Sequence, residues 1–244
     1  MSAPGKNDFR ILKDAPLPVR LLTLFVGLFL FGVSCGLLVV SALGNAPWDV
    51  LHEGVARHLP ISLGVVGVCV SVLILLLWIP LKQKPGLGTV ANALLVGPFI
   101  DLTVHVVPTP DTLWERLLLV VAGVVLNGIA TVMYIAPAFG PGPRDGLMTG
   151  LVALTGKPVF LIRTGIEVAV VAIGWLLGGT FFIASIVFAF GIGPVTQVCL
   201  RLAHRMARPT RPEPGTREVL DPGTPDAATG TDDLPGPTGG TADR

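Results

Sequence analysis

Apolar residues run along this chain in six blocks, separated by short polar or Gly/Pro-rich segments: about 20–43, 61–81, 87–107, 117–139, 158–178 and 181–200. Each block is about 20 residues long with few charges, the length a helix rising 1.5 Å per residue needs to cross ~30 Å of hydrocarbon. The pattern predicts an all-α membrane protein with six transmembrane helices. Segments 46–58 and 142–155 are too short to cross. They are predicted to lie in the interface or to enter part way as re-entrant helices, the latter only where protein or water covers the backbone.

These two segments are related. "GNAPWDVLHEG" at 44–54 and "GPGPRDGLMTG" at 140–150 share Gly, Pro, Asp, Leu and Gly at one spacing, 96 residues apart. The same offset aligns residues 20–104 with 116–200 without a gap. Matches include Arg20/Arg116, Gly27/Gly123, Gly32/Gly128, Gly44/Gly140, Pro47/Pro143, Asp49/Asp145, Gly54/Gly150, Gly97/Gly193 and Pro98/Pro194. Shared Leu or Val would mean little in so apolar a chain; Gly, Pro and Asp carry the signal. Three spans per copy make the second copy enter from the opposite side, which predicts an inverted-topology repeat about an axis in the membrane plane. The expected division is a cytoplasmic segment 1–19, a first repeat 20–107, an external loop 108–115, a second repeat 116–203 and a cytoplasmic tail 204–244.

Composition sharpens this picture. The chain is 51% hydrophobic and 14% charged, with a mean hydropathy of +0.74, whereas soluble domains carry about 25% charged residues. A net charge of +1 gives no electrostatic case for nucleic acid. Lys6, Arg10, Lys13, Arg20, Lys82, Lys84, Arg144, Lys157, Arg201, Arg205, Arg208 and Arg211 collect on one side of a six-span arrangement, against Arg57 and Arg116 on the other. Basic residues mark the cytoplasmic face, so both termini are expected inside. The first block exceeds a signal-peptide core of roughly 7–15 residues and is expected to be a retained anchor; no lipidation signal is expected. From about Ala207 the sequence turns rich in Pro, Gly, Thr and Asp, and this tail is predicted to be disordered, as, more weakly, are residues 1–8. Cys35, Cys69 and Cys199 fit no zinc or disulfide spacing and are expected to be buried small hydrophobes. Trp78, Trp114 and Trp175 lie near span ends and are expected to be interface anchors.

Polar residues within and beside the spans are the candidate chemistry. Asp49 and Asp145 have two readings. One is helix-start chemistry, with Asn45 as N-cap, Pro47 in the first turn and Asp49 complementing the helix dipole; the other is a substrate or ion site across the pseudo-two-fold axis. Arg163 and Glu167 stand one turn apart near the middle of the fifth block, as either a self-neutralising structural pair or a substrate counter-charge or proton-linked carboxylate. Their counterparts are Gly67 and Ser71, so any site there is asymmetric. Gly86 and Gly88 could offer backbone N–H groups to an anion. Asn92 and Asn127 suit interhelical hydrogen bonds. Gly97-Pro98 and Gly193-Pro194 are predicted to break or kink the third and sixth spans at matching places, which points to a midplane site; Asp101 and Gln197 follow those breaks. His52, His58, His105 and His204 do not cluster at metal-ligand spacing, and no nucleophile elbow or dinucleotide fingerprint is present. No enzyme, cofactor or metal is expected.

"GNAPWDVLHEG", "GLGTVANALLVGPFID", "GPGPRDGLMTGL" and "RTGIEV…GWLLGGT", in this order over about residues 18–200, resemble the YczE/YyaS/YitT-type family of bacterial integral membrane proteins. The resemblance implies a bacterial inner-membrane protein and brings no established activity. It carries over to Pro47, Asp49, Gly88, Thr89, Gly97, Pro98, Arg144, Asp145, Gly146, Arg163, Glu167, Gly193 and Pro194. The family usually repeats its Gly-x-Gly-Thr helix start in the second half; here Ala184 and Ser185 stand there, so no second backbone anion site is carried over. Two functions are expected to compete. The first is a transporter-like or channel-like protein for an unknown small polar or charged solute, using Asp49, Asp145, Arg144, Arg163, Glu167, Asn92 and Asp101. The second is a non-transporting accessory protein acting through a partner. The expected surroundings are the lipid bilayer without nucleic acid; the sequence is compatible with a homo-oligomer.

Overall fold

The computed structural model describes residues 11–207. Among the described residues there are eight helices and no strand: α1 (Leu17–Ser41), α2 (Pro47–Ala56), α3 (Leu63–Leu77), α4 (Leu87–Val106), α5 (Leu113–Ile135), α6 (Pro143–Thr155), α7 (Val159–Leu176) and α8 (Ile183–Ala207). The expected disorder at 1–8 and beyond about Ala207 falls outside the described residues.

Five helices, α1, α4, α5, α7 and α8, are long and apolar enough to cross a membrane. The block at 61–81 gives a shorter helix than expected. α3 has 15 residues, about 22 Å. Ser62 starts it by accepting from the Val65 N–H at 3.2 Å, and it ends in a turn around Pro80, which cannot continue a helix.

α1 and α5 pack face to face at the centre, with α4 against α1 and α8 against α5. α2 packs on α3 and α7, and α6 packs on α7 and α3. The two halves differ at one junction: α3 packs along α4, whereas α7 and α8 make no comparable contact. Gly64 and Gly97 let the α3 and α4 backbones touch, since a Cβ on either would overlap the carbonyl oxygen of the other. A Cβ at Gly193, the counterpart of Gly97, would meet nothing within 4 Å.

Residues 96 apart repeat each other's local geometry. Ala42 and Ala138 both have left-handed backbones, at φ 53° and 59°, and Gly44 and Gly140 sit at φ 114° and 119°, a region where a side chain is strained. The Gly88 N–H donates to Phe139 O at 3.0 Å, as the Ala184 N–H donates to Leu43 O at 2.9 Å. The Gly86 N–H donates to Thr89 Oγ1 at 3.2 Å, as the Phe182 N–H donates to Ser185 Oγ at 3.4 Å. One buried cluster contains Leu24, Leu28 and Tyr134; the other contains Val120, Val124 and Leu38.

Several sequence expectations change here. Gly97-Pro98 and Gly193-Pro194 do not break their helices; α4 and α8 run through both. A proline inside a membrane helix removes one backbone bond, which neighbouring groups can re-satisfy. Asn45 is not the α2 cap. Ala46 takes that place, and the Asn45 amide donates to Glu53 Oε2 at 2.7 Å. Trp78 is no interface anchor: it is 2% exposed, and its indole N–H donates to Pro143 O at 3.1 Å. Its ring fills the space left by Gly146, where a Cβ would overlap it. Trp114 and Trp175 do lie exposed. Cys35 is buried, but Cys69 is exposed on the outer face of α3. The Gly88 N–H is spent on Phe139, so the "GLGT" start offers no free donor there to an anion.

Candidate functional site

The N-terminal turns of α2 and α6 meet beside the α1–α5 core. Pro47 and Pro143 open these helices and set an aspartate in each first turn, where a negative charge complements the helix dipole. The Arg144 guanidinium lies 5.1 Å from the centre of the Trp48 ring and 3.8 Å from Asp49 Oδ1. Trp48 and Arg144 are counterparts in the 96-residue alignment, so equivalent positions of the two halves touch each other here.

Asp49 is 1% exposed, and so is His52, one turn further along α2. Their facing atoms, Asp49 Oδ1 and His52 Nδ1, are 3.2 Å apart. Neither carboxylate oxygen and neither ring nitrogen has a partner in full hydrogen-bond geometry. Buried polar groups are nearly always paired, so this cluster stands apart from the rest of the structure. From α1, Cys35 lies beside Asp49, and the Asn127 amide donates to Ser34 Oγ at 2.8 Å and towards Cys35 Sγ at 3.7 Å. This is the interhelical role expected of Asn127.

Asp145 is half-buried and satisfied differently. Tyr134 Oη donates to its Oδ2 at 3.1 Å, and the Asn92 amide approaches from α4 around Gly142. The charges of Arg163 and Arg144 both reach it. The structure therefore gathers Asp49, Arg144, Asp145 and Asn92 around one place, with Arg163 at its edge.

Asp101 belongs elsewhere. It accepts from Ser62 Oγ and from the Gly64 N–H at 2.8 Å, and so holds the start of α3 against α4. Arg163 and Glu167 do pair, at 3.0 Å, but with side chains 58% and 38% exposed. They face outward from α7 rather than into the bundle, so the self-neutralising buried pair is corrected to an exposed one. Sequence reasoning missed His52, Trp48, Tyr134 and Cys35. His52 stands at i+3 from Asp49, a spacing that puts both on one helix face, and Tyr134 is the single tyrosine of the chain. Glu53 was also missed. It accepts from Asn45, Arg57 and both the N–H and hydroxyl of Thr180, at 2.7–2.8 Å, which ties α2 to the turn before α8.

Chemically, the site offers two carboxylates, one arginine between them, an imidazole, a phenol and an amide, gathered at two helix starts. Among the described residues, no three His, Cys, Asp or Glu side chains converge as a metal ion would need.

Comparison with known proteins identifies the family of the chain. A family of unknown function, DUF6198, matches residues 18–201. An uncharacterised protein of Haemophilus influenzae is 34% identical over 75% of this chain and 84% of its own length. Two proteins of Bacillus subtilis are also similar: the uncharacterised membrane protein YczE, 29% identical over 72% of this chain and 83% of its own, and the uncharacterised protein YyaS, 28% identical over 72% and 85%. No solved structure matches. With its five long apolar helices and a family match across all of them, the chain is a helical membrane protein that belongs to the DUF6198 family, alongside relatives such as YczE and YyaS.

Proposed function

We propose that this protein is a small transporter-like or channel-like protein of the bacterial inner membrane, built from two inverted three-span repeats and moving a small polar or charged solute rather than catalysing a reaction. In this reading α3 and its flanking turn complete three crossings per half, and both termini are cytoplasmic. The paired φ values, the paired Gly88 and Ala184 hydrogen bonds and the exchanged core clusters support the repeat. The contact of Trp48 with its own counterpart Arg144 supports an axis passing between α2 and α6.

The observation that carries the function is Arg144 of one half set 3.8 Å from the buried Asp49 of the other. Ionisable groups at membrane depth are costly, and they mark substrate or ion pathways where they converge. Here they converge on the starts of two short helices, the arrangement in which membrane proteins hold charged solutes. Asn92, Asp145 and Tyr134 are the proposed polar contacts. Arg163 and Glu167 stand at its outer edge.

Cysteine accessibility tests this. Asn92→Cys and Arg144→Cys are made in a chain whose Cys35, Cys69 and Cys199 are replaced by alanine, and small water-soluble thiol reagents are applied to oriented vesicles. Both positions should be labelled. No labelling from either side would place them in a dry bundle, favour the accessory reading and overturn the proposal. A reporter fused after Arg201 should read as cytoplasmic; an external reading would remove the orientation and the inversion together.

A further inference from the structure

The least satisfied polar groups of the described structure are the carboxylate of Asp49 and the imidazole of His52. Every charge state leaves something unmade. With Asp49 ionised and His52 neutral, one Nδ1–H can serve Oδ1, while Oδ2 and Nε2 remain open. With His52 charged, its Nε2–H has no acceptor. A buried pair whose hydrogen-bonding capacity exceeds its partners in either state is suited to gaining and losing a proton.

The surroundings narrow the choice. From α6, Arg144 is the cation facing the pair. From α1, Cys35 and Ser34 are the neighbours. α3 brings Gly67, whose added Cβ would stand 3.3 Å from His52 Nδ1, so the ring lies against bare backbone. α7 brings Gly174 against α2. Among the described residues, the ionisable neighbours of the pair are thus Arg144 and the Cys35 thiol. The other half sharpens the contrast. The counterpart of Gly67 is Arg163, and that of His52 is Met148. At the edge of the Asp145 site, α7 carries a permanent cation that faces outward and pairs with Glu167; beside Asp49, the basic group is an imidazole on α2 itself. Imidazole is the side chain whose charge changes near neutral pH.

We propose that Asp49 and His52 form a proton-binding site whose occupancy is exchanged against the Arg144 contact. This deepens the transport reading and rests on it: the proton is the coupling ion. While Arg144 lies against Asp49, its positive charge balances the carboxylate and the pair carries no extra proton. When Arg144 turns to a solute or to Asp145, the carboxylate is left buried, and the pair takes up one proton from water. When Arg144 returns, that proton leaves to water. One O–H or N–H bond forms and breaks, and charge in the buried site stays balanced throughout.

The test uses the full chain in lipid nanodiscs with ¹⁵N-labelled histidine, without solute. The His52 signal is identified by its loss in His52→Gln, and the Asp49 carboxyl stretch by its loss in Asp49→Asn. In the wild type, one of the two groups should titrate between about pH 5 and about pH 8. Arg144→Gln removes a positive charge that opposes protonation, so the midpoint should rise, by about one unit or more. The signals of His58, His105 and His204 should not move with that change. A wild-type pair that keeps one protonation state over this range, or a midpoint indifferent to Arg144→Gln, overturns the proposal even if a variant folds poorly. Labelled cysteines with no titrating pair would leave the transport reading standing and remove the proton site. A titrating pair with unlabelled cysteines would support the proton site and remove transport.

Discussion

The two halves share a backbone plan and differ in their chemistry. In the first half, α3 closes on α4 through Gly64 and Gly97, and the aspartate of the short helix is buried beside a histidine. In the second half, α7 stands away from α8, Gly193 meets open space, and the aspartate is half-buried beside a tyrosine with two arginines in reach. The glycine contacts differ as well. At Gly174 the backbones of α2 and α7 touch, where an added Cβ would overlap backbone atoms of Val50 and Leu51, whereas Gly146 makes room for the Trp78 ring. The difference is one of packing: a closely packed first half that buries its aspartate and a more open second half that leaves its aspartate half-buried.

The largest expected effect comes from the hidden charge. Asp49→Leu leaves His52 and Arg144 without their counter-charge, and removing one member of a buried charged group commonly costs about 3–5 kcal/mol. Asp145→Leu should cost clearly less, because Asp145 is half-buried. Thermal unfolding in detergent ranks the two; equal losses would erase the contrast between the halves. A middle-sized effect concerns the helix junctions. Gly97→Ala forces a methyl onto the Gly64 carbonyl and should cost about 1–3 kcal/mol. Gly193→Ala should be neutral or stabilising by up to about 1 kcal/mol, since alanine favours a helix over glycine. If both cost the same, α7 and α8 are packed in solution as α3 and α4 are. The smallest effect is at the outward pair: Arg163→Leu and Glu167→Leu should each change stability by less than about 1 kcal/mol. A loss several times larger in either single variant would show that the pair is covered.

Much of this plan was legible in the sequence. Five of the six apolar blocks became long helices, because length and hydrophobicity are read directly. The short helices appeared within two residues of 46–58 and 142–155, because Pro47 and Pro143 mark helix starts. The repeat offset was readable from Gly, Pro and Asp, whose backbone roles leave little freedom of replacement. What escaped was set by tertiary contact. Trp78 near a span end reads as an anchor until Gly146 of another helix makes room for its ring. Pro98 and Pro194 read as breaks until the helices run through them. Asn45 reads as a cap until Glu53 claims its amide. His52 falls outside any metal-ligand spacing in the sequence; its surroundings come from one aspartate a turn away and an arginine from the other half.

That junction between halves is best tested by a double-mutant cycle on Asp49→Asn and Arg144→Gln, with stability measured in lipid nanodiscs. Two residues 95 positions apart in sequence share an interaction only if α2 and α6 meet as described. The expected result is strong non-additivity, a coupling above about 1 kcal/mol, with the double variant losing less than the sum of the singles. Additivity within about 0.5 kcal/mol would mean that the two residues do not share a site.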